Sequence, residues 1–268
     1  MNFSVLLSLY HKEKASHLNE CLQSIDSQSL KSNEIMIVLD GPVGKELCDV
    51  IEQWRATLPI KLFQLTENKG LGIALNKGLE LCSNDIILRM DTDDVCTPER
   101  FNLQIEKLEN DKELVLLGGH IEEFDEELKK SHGKRVVPTD YAAIKKQVAI
   151  KNPFNHMTVA FRRSAILAVG GYQHHAFMED YNLWLRLIAA GYKVENLDMV
   201  LVKARTGTSM LLRRKGIDYI KSEISLYKLK RKLQVHTLPV GLCVLILRTV
   251  PRIFPALFLQ FCYKTQRE

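Results

Sequence analysis

The chain has 268 residues, of which 46% are hydrophobic and 26% charged, and its formal net charge is +5. This composition is typical of a globular protein with a sizeable core and excludes a mostly disordered chain. Six cysteines occur without a CxxC pair or a compact spacing, which excludes a disulfide scaffold and predicts reduced thiols. The sequence opens directly on a predicted strand, without a basic leader or a cleavage site, so we expect a cytoplasmic protein.

Residues 1–120 alternate between strand and helix patterns at short intervals. Apolar runs predict strands at 4–9, 34–39, 60–65, 85–90 and 114–117, and apolar periodicity predicts helices at about 16–28, 43–56, 70–82 and 98–110. The fourth helix has a typical start in Thr97-Pro98-Glu99, with a capping hydroxyl followed by proline. Repeated strand–helix–strand units predict a mostly parallel sheet with helices on both faces. In such sheets, ligands bind beyond the carboxyl ends of the strands.

The second half of the chain is less regular. Polar residues at 120–135 predict an exposed hairpin or loop, and a strand at 156–162 and a helix at 178–190 follow. A basic helical stretch is predicted at 211–233. Residues 203–232 hold ten lysines and arginines against two acidic residues, a balance of +8, whereas the chain before them is net acidic. Such a basic segment is expected to meet an anionic partner.

The last segment, residues 237–263, is strongly apolar but is interrupted by two arginines and three prolines. A membrane-spanning helix needs about 20 apolar residues, roughly twice the uninterrupted run at 238–247. We therefore expect this segment to lie in a membrane interface, with its arginines at the level of the headgroups. A helix packed on the protein's own core is the alternative interpretation.

An acidic motif, Asp91-Thr92-Asp93-Asp94, follows the predicted strand at 85–90. Three carboxylates at one strand end repel one another unless a cation compensates them. Hard oxygen ligands favour Mg²⁺ or Mn²⁺, which also bind diphosphates. A turn or a helix cap would also explain such a motif, but the strand before it and the helix start after it favour a ligand site.

Three further motifs are each less specific for one function when taken alone. Residues 68–78 form a polar turn leading into a helix with small residues, and they lack the phosphate-loop pattern G-x-x-x-x-G-K-S/T. Asp40-Gly41 follows the second predicted strand, where a carboxylate can accept from a base or ribose, although Asp-Gly is also a common turn. Glu179-Asp180 opens an amphipathic helix, where an acidic pair also serves as a cap.

Taken together, these motifs resemble the family 2 inverting glycosyltransferases of the GT-A fold, and most closely those of bacterial lipopolysaccharide and exopolysaccharide biosynthesis. Five sequence patterns of that family have counterparts here. SVIIPTYN is matched loosely by residues 4–10, VVDDGS by residues 37–42, and N-x-G-x-x-x-A-x-N-x-G fully by residues 68–78. DADD is matched by residues 91–94, and ED-x-x-L-W-x-R by residues 179–186. The resemblance implies an α/β fold, a Rossmann-like, mostly parallel sheet flanked by helices, over residues 1–207. A basic and amphipathic helical extension that associates with the membrane would follow at 208–268.

The resemblance also implies roles for individual residues. Asp180 would be the general base that deprotonates the acceptor hydroxyl, and Asp93 and Asp91 would hold Mn²⁺ or Mg²⁺. The implied donor-binding residues are Tyr10, Glu13, Asp40, Asn68, Arg89, Asp91 and Thr92, with Asp40 accepting from the uracil N3–H. The implied acceptor-binding residues are Glu179, His156 and Trp184, and the diphosphate candidates are Arg205, Arg213 and Arg214. For His156 and the arginines, a structural histidine and a solvated helix face are the competing interpretations.

These roles predict an enzyme that transfers one hexose or N-acetylhexosamine from a nucleotide sugar, with UDP as the expected carrier, by metal-assisted direct displacement. The acceptor would be a polyprenyl-diphosphate-linked saccharide at the inner face of the cell membrane, in O-antigen or exopolysaccharide assembly. Two positions depart from the family pattern, since a single aspartate stands at Asp40 and Leu9 replaces a threonine. The Q-x-x-R-W motif of processive synthases is absent, which favours a single addition.

Two other function classes remain open at this point. A sugar-phosphate nucleotidyltransferase also uses carboxylates on such a sheet, but it usually has a Gly-rich loop near the first strand, and residues 9–13 contain no glycine. A noncatalytic module could bind an anionic polymer through the basic segment. That segment has only Tyr219 and Tyr227 as aromatic residues, so we do not expect nucleic acid as the partner.

Overall fold

The computed structural model describes residues 1–206 and 216–250. Its strands are β1 (Phe3–Leu9), β2 (Glu34–Leu39), β3 (Ile60–Gln64), β4 (Ile86–Arg89), β5 (Val95–Cys96), β6 (Leu114–Phe124), β7 (Ser131–Arg135), β8 (Ala160–Arg162) and β9 (Lys193–Arg205). Its helices are α1 (Ala15–Asp26), α2 (Lys45–Trp54), α3 (Leu71–Leu81), α4 (Arg100–Asn110), α5 (Tyr141–Gln147), α6 (Arg163–Ala168), α7 (Glu179–Ala189), α8 (Ile217–Lys232) and α9 (Leu238–Thr249). A short 3-10 helix, His156–Thr158, precedes β8.

The strands form one sheet in the order β3-β2-β1-β4-β8-β6-β9-β5, and β7 pairs with β6. β1 runs parallel to both β2 and β4, and β2 runs parallel to β3. β8 is antiparallel to both of its neighbours, while β6 and β9 run parallel. The predicted mostly parallel α/β sheet is thus confirmed. Because β1, β2 and β4 share one direction, the residues that follow them meet at one edge of the sheet.

Two apolar clusters cover the two faces of the sheet. In the first cluster, alternate β1 residues from Phe3 to Leu9 pack against α1, α2 and α4. In the second cluster, Leu6 and its neighbours pack against α3, α5, α6, α7 and α8. α3 approaches the sheet closely, since a Cβ added at Gly78 would lie 2.2 Å from the Leu6 side chain. The side-chain alternation of a strand therefore explains why helices lie on both faces, as the sequence predicted.

Two local predictions differ from the structure because of contacts that are distant in sequence. Thr97 does not cap α4; its hydroxyl donates to the carbonyl of Leu201 at 3.2 Å, and the helix begins at Arg100. The strand predicted at 114–117 continues to Phe124, because β6 pairs with β9 along this length. The polar stretch at 120–135 therefore contains the end of β6 as well as the hairpin to β7.

The two C-terminal helices pack on the sheet domain. Tyr219 and Leu226 of α8 belong to the second cluster, α8 contacts α7, and α9 packs on α8. Arg248 of α9 donates to the carboxylate of Glu223 at 2.7 Å. No helix in the described part of the chain is long and apolar enough to cross a membrane. The predicted boundary between residues 207 and 208, and the predicted apolar segment beyond residue 250, lie outside the described residues.

Glu34 at the start of β2 is buried, and hydrogen bonds and an ion pair stabilise its charge. Its carboxylate accepts from the hydroxyls of Ser4 and Ser83 at 2.5 and 2.8 Å, and Lys61 lies 2.7 Å away. Burial alone would raise the pKa of Glu34, but these partners bring it from 4.5 down to about 2. Because the pKa is lower in the folded state, ionised Glu34 stabilises the fold above about pH 4.5, and this contribution is lost as the pH falls toward 2.

We expect Glu34→Gln to lower the free energy of unfolding by about 2–3 kcal/mol at pH 7, since a charge-assisted network is replaced by a neutral amide. The difference from the wild type should shrink as the pH falls below about 4.5. Urea unfolding at pH 7 and pH 3.5 measures both effects. Glu113→Gln, at an exposed carboxyl, is the matched control. An equal loss at the two pH values would contradict the charge-based explanation.

Candidate active site

A cleft of about 550 Å³ lies at the edge of the sheet where β1, β2 and β4 end. The predicted site residues that line it are Tyr10, Glu13, Asp40, Asn68, Arg89, Asp91, Thr92, Asp93, His156, Glu179 and Asp180. The cleft thus brings together the carboxylate that follows β2, the acidic motif that follows β4 and the acidic pair that opens α7. Sequence analysis did not identify Ser8, Phe177 and Tyr219, which also line it.

One wall of the cleft joins Asp40 to the turn before α3. The carboxylate of Asp40 accepts from the backbone N–H groups of Lys69 and Gly70 at 2.7 and 3.0 Å. The side-chain amide of Asn68 donates back to the Asp40 carbonyl at 3.2 Å. Gly41 has φ +87°, and a Cβ there would lie 2.6 Å from the Asn68 nitrogen, so this close approach requires glycine. A carboxylate has about four lone-pair sites, so Asp40 retains acceptor capacity toward the cleft.

Asp91, Asp93 and Asp94 place carboxylate oxygens within 4.8 Å of one another. Buried Arg89 holds Asp91 with both terminal nitrogens, one of them at 2.6 Å. Asp94 is buried and accepts from the backbone N–H of Arg205 at 2.9 Å. Burial, together with repulsion from Asp91, raises the pKa of Asp93 to about 7.

The acidic cluster fits a divalent cation. It offers three hard oxygen donors at short mutual distance, and the raised pKa of Asp93 shows that ionising all of them together is unfavourable without additional positive charge. Asp93 and Asp91 line the cleft, so they are the carboxylates that would hold Mn²⁺ or Mg²⁺ next to a bound diphosphate. Thr92 between them donates its hydroxyl to Glu13 at 3.1 Å, which ties this turn to the segment after β1.

Glu179 and Asp180 occupy the first turn of α7. The carboxylate of Asp180 accepts from the side-chain amide of Asn152 at 2.6 Å. Burial raises the pKa of Asp180 above its ordinary value, although the N–H of Tyr181 and the Asn152 amide oppose this. Burial likewise raises the pKa of Glu179. A carboxylate with a raised pKa is a stronger base than an ordinary aspartate and so is better suited to accept a proton.

His156 lines the cleft and is held by aromatic neighbours. Its Nε2 lies 2.8 Å from the Tyr172 hydroxyl, and its ring meets the Trp184 ring at 6.0 Å between centroids. Burial, aided by the charge of Arg89, lowers the pKa of His156, so the ring is neutral at pH 7. Trp184 is fully buried in the second cluster. The prediction that Trp184 contacts the acceptor is therefore corrected: its face of α7 packs on the core.

Arg205 at the end of β9 supports the acidic motif through its protein contacts. Its guanidinium donates to the Asp93 carbonyl, to the Glu20 carboxylate and, at 2.8 Å, to the Glu126 carbonyl. Only 4% of the side chain is exposed. The predicted diphosphate contact of Arg205 is therefore corrected: protein partners engage its guanidinium, and it does not line the cleft. The other two diphosphate candidates, Arg213 and Arg214, lie outside the described residues.

Residues 4–170 match the family described as Glycosyl transferase family 2. The chain belongs to glycosyltransferase family 2. It is 45% identical over 269 residues to the amylovoran biosynthesis glycosyltransferase AmsE of Erwinia amylovora, and the match covers 99% of both chains. It is 38% identical over 222 residues to the UDP-Gal:alpha-D-GlcNAc-diphosphoundecaprenol beta-1,3-galactosyltransferase of Escherichia coli, covering 83% of this chain and 80% of that one.

The fold agrees with this assignment. The solved structure of the mannosyltransferase PcManGT from Pyrobaculum calidifontis, in complex with GDP-Man and Mn²⁺, matches with a TM-score of 0.66 and 16% identity over 98% of this chain and 79% of that one. At this identity the likeness shows the fold alone. The predicted GT-A fold and the predicted enzyme class, a glycosyltransferase, are confirmed. Family membership decides against the nucleotidyltransferase and the noncatalytic binding module.

We expect Mn²⁺ to raise the melting temperature of the enzyme, because a cation that binds only the folded state stabilises it by about 2.7 kcal/mol at a hundred times its Kd. Asp93→Asn should abolish this rise. Without metal, the same substitution should increase stability, since it removes one charge from a repelling cluster. Thermal melts with and without Mn²⁺ measure both effects, with exposed Asp49→Asn as the control. An unchanged Mn²⁺ effect in Asp93→Asn would contradict the metal assignment.

Proposed function

We propose that this glycosyltransferase moves one hexose or N-acetylhexosamine from a UDP-sugar to a polyprenyl-diphosphate-linked saccharide, with inversion, in the assembly of a bacterial surface polysaccharide. The observation that carries the proposal is that Asp180, Asp40, Asp91 and Asp93 line one cleft. Two relatives support the substrate class. The name of one refers to amylovoran biosynthesis, and the name of the other gives UDP-Gal as donor and GlcNAc-diphosphoundecaprenol as acceptor.

The donor would bind along the wall formed by β1, β2 and β4. Asp40 would accept from the uracil N3–H with its remaining lone pairs, and the exposed ring of Tyr10 would stack on the base. Arg89 fixes the carboxylate of Asp91 in the orientation in which it would meet the ribose or the donor sugar. A divalent cation held by Asp93 and Asp91 would stabilise the negative charge of the leaving diphosphate.

Asp180 would act as the general base. The Asn152 amide fixes one carboxylate oxygen, and the lone pairs that Asn152 and the Tyr181 N–H leave unused would accept the proton of the acceptor hydroxyl. The resulting oxygen nucleophile attacks the anomeric carbon from the face opposite the leaving diphosphate, the new C–O bond forms as the old one breaks, and the configuration inverts. An α-linked donor would thus give a β-glycoside. Glu179 and neutral His156 would bind hydroxyls of the acceptor beside it.

We expect Asp180→Asn to lower kcat by about 10²–10⁴-fold, because an amide cannot accept the proton in the transition state. Binding of UDP in the presence of Mn²⁺ should be unchanged, since Asp180 lies on another wall of the cleft. UDP release coupled to transfer measures the first quantity and calorimetric titration the second. Glu80→Gln, at an exposed carboxyl of α3, controls for the loss of one charge. Transfer at the wild-type rate by Asp180→Asn would rule out its role as base.

We further propose that the C-terminal helices bring the enzyme to the anionic inner face of the cell membrane. α9 carries an exposed apolar stripe in which Ile246 is 58% and Leu247 66% exposed. Lys228, Arg231 and Lys232 of the adjoining α8 are also exposed. Apolar side chains flanked by basic ones are complementary to a bilayer with anionic headgroups. A lipid-linked acceptor would then be presented next to the cleft, which α8 reaches through Tyr219.

We expect the full chain to sediment with vesicles that contain phosphatidylglycerol and to be released by high salt. Replacing Ile246 and Leu247 by glutamate should weaken this binding strongly, because it places two charges on the apolar stripe. Replacing Lys228 by glutamine should weaken it by about 1 kcal/mol. Leu167→Glu, at an exposed leucine of α6, is the matched control. Unchanged sedimentation of the α9 variant would contradict the membrane proposal.

A further inference from the structure

Phe177 is an exposed aromatic residue in a left-handed backbone conformation. Its φ is +66°, a region that side chains other than glycine rarely adopt, and 50% of its surface is exposed. The other two non-glycine residues with positive φ in the described part of the chain occupy ordinary positions for it, Leu128 in the hairpin between β6 and β7 and Gln234 just after α8. Backbone strain that carries an exposed side chain into a cleft suggests a functional reason for that side chain.

Tyr219 supports Phe177 from α8. The two rings stack with 5.4 Å between centroids and an interplanar angle of 21°, and Tyr219 is itself anchored in the second cluster. The loop before α7 is also fixed to α8, since His175 Nε2 lies 3.0 Å from the Ser222 carbonyl and the Ser222 hydroxyl donates to the Ala176 carbonyl. The aromatic platform, Phe177 and Tyr219, is thus held in place before any ligand binds.

The position of the platform indicates which ligand it meets. Phe177 and Tyr219 line the same cleft as Glu179 and Asp180, and Phe177 precedes this acidic pair by two residues. The residues assigned to the donor come instead from the strand ends and from the turn before α3. A ligand that meets an aromatic face and two carboxylates together needs an apolar face with hydroxyl groups at its edge. A pyranose ring has this shape, whereas carboxylates would repel a diphosphate and an alkyl chain would leave them without partners.

We infer that the aromatic platform binds the acceptor sugar, whose ring stacks on Phe177 while its hydroxyls meet Glu179 and Asp180. This inference rests on the proposed function, because it assigns the acceptor side of that cleft. Tyr219 acts as a positioning residue that keeps the Phe177 ring in the stacking orientation. The platform would therefore contribute affinity for the acceptor and leave the donor site unaffected.

The test uses Phe177→Gly in the full-length enzyme. Glycine relieves the left-handed backbone, so the melting temperature should stay the same or rise, whereas loss of a purely structural aromatic would lower it.

For the kinetic readout, the acceptor is a synthetic GlcNAc diphosphate with a short alkyl chain, and the donors are a panel of UDP-sugars. The KM for the acceptor should rise about tenfold, as expected for loss of one stacking contact. The KM for the donor should stay within about twofold, and Phe177→Tyr should retain most of the acceptor affinity. Leu167→Ala controls for removal of an exposed apolar side chain.

Saturation-transfer NMR with the same acceptor, in the presence of UDP and Mn²⁺, gives a readout that does not depend on turnover. Irradiation of the protein's aromatic protons should saturate the sugar-ring protons in the wild type, and this transfer should fall strongly in Phe177→Gly at the same fraction of bound acceptor. Transfer only to the alkyl chain, an unchanged acceptor KM, or a parallel loss of UDP binding and stability would overturn the inference. A different outcome would separate the two proposals. If the sugar-ring protons are saturated in a wild-type enzyme that transfers sugar from none of the donors, the acceptor-binding platform is supported and the proposed function is overturned.

Discussion

Repulsion among the carboxylates at the end of β4 is the constraint around which the cleft is built. Each aspartate of the motif is treated differently. Arg89 neutralises Asp91 with a buried guanidinium, and the backbone N–H of Arg205 stabilises Asp94. Asp93 receives neither contact on its side chain, and burial with repulsion from Asp91 raises its pKa to about 7. Burial and repulsion from Asp93 also raise the pKa of Asp94 well above its ordinary value, despite the Arg205 N–H. The protein thus compensates Asp91 with its own cation, whereas Asp93 and Asp94 keep raised pKa values that a divalent cation beside them would lower.

The positions of Asp40 and Asp91 in the cleft could be predicted from the sequence because these residues closely follow strands. Once β1, β2 and β4 are parallel neighbours, the positions of Asp40 and Asp91 are fixed by topology, and no knowledge of side-chain packing is needed. The acidic pair at the start of α7 could also be predicted from the sequence, since a helix start is a local feature. Local pattern and global fold agree at these positions, which explains why short motifs were informative there.

The errors concern side chains whose environment depends on distant contacts. Trp184 follows Asp180 by one helical turn, but only the packed structure shows that its face of α7 points to the core. Arg205 resembled a free cation because its partners, the Asp93 carbonyl and Glu20, are 112 and 185 residues away in sequence. Phe177 and Tyr219 carried no sequence signal, since their pairing arises from the docking of α8 on the loop before α7.

The two sides of the cleft also differ in how they are attached to the rest of the molecule. The family match ends at residue 170, before α7 begins, whereas the match to AmsE covers 99% of the chain. The wall of the cleft formed by α7 thus lies outside the family match but within the part of the chain shared with AmsE. The ring of Tyr181, next to Asp180, is close to two basic side chains of the C-terminal helices, with Lys230 Nζ 4.6 Å and the Arg248 guanidinium 5.9 Å from its centre. The helix that carries the proposed base is therefore packed against the helices proposed to meet the membrane.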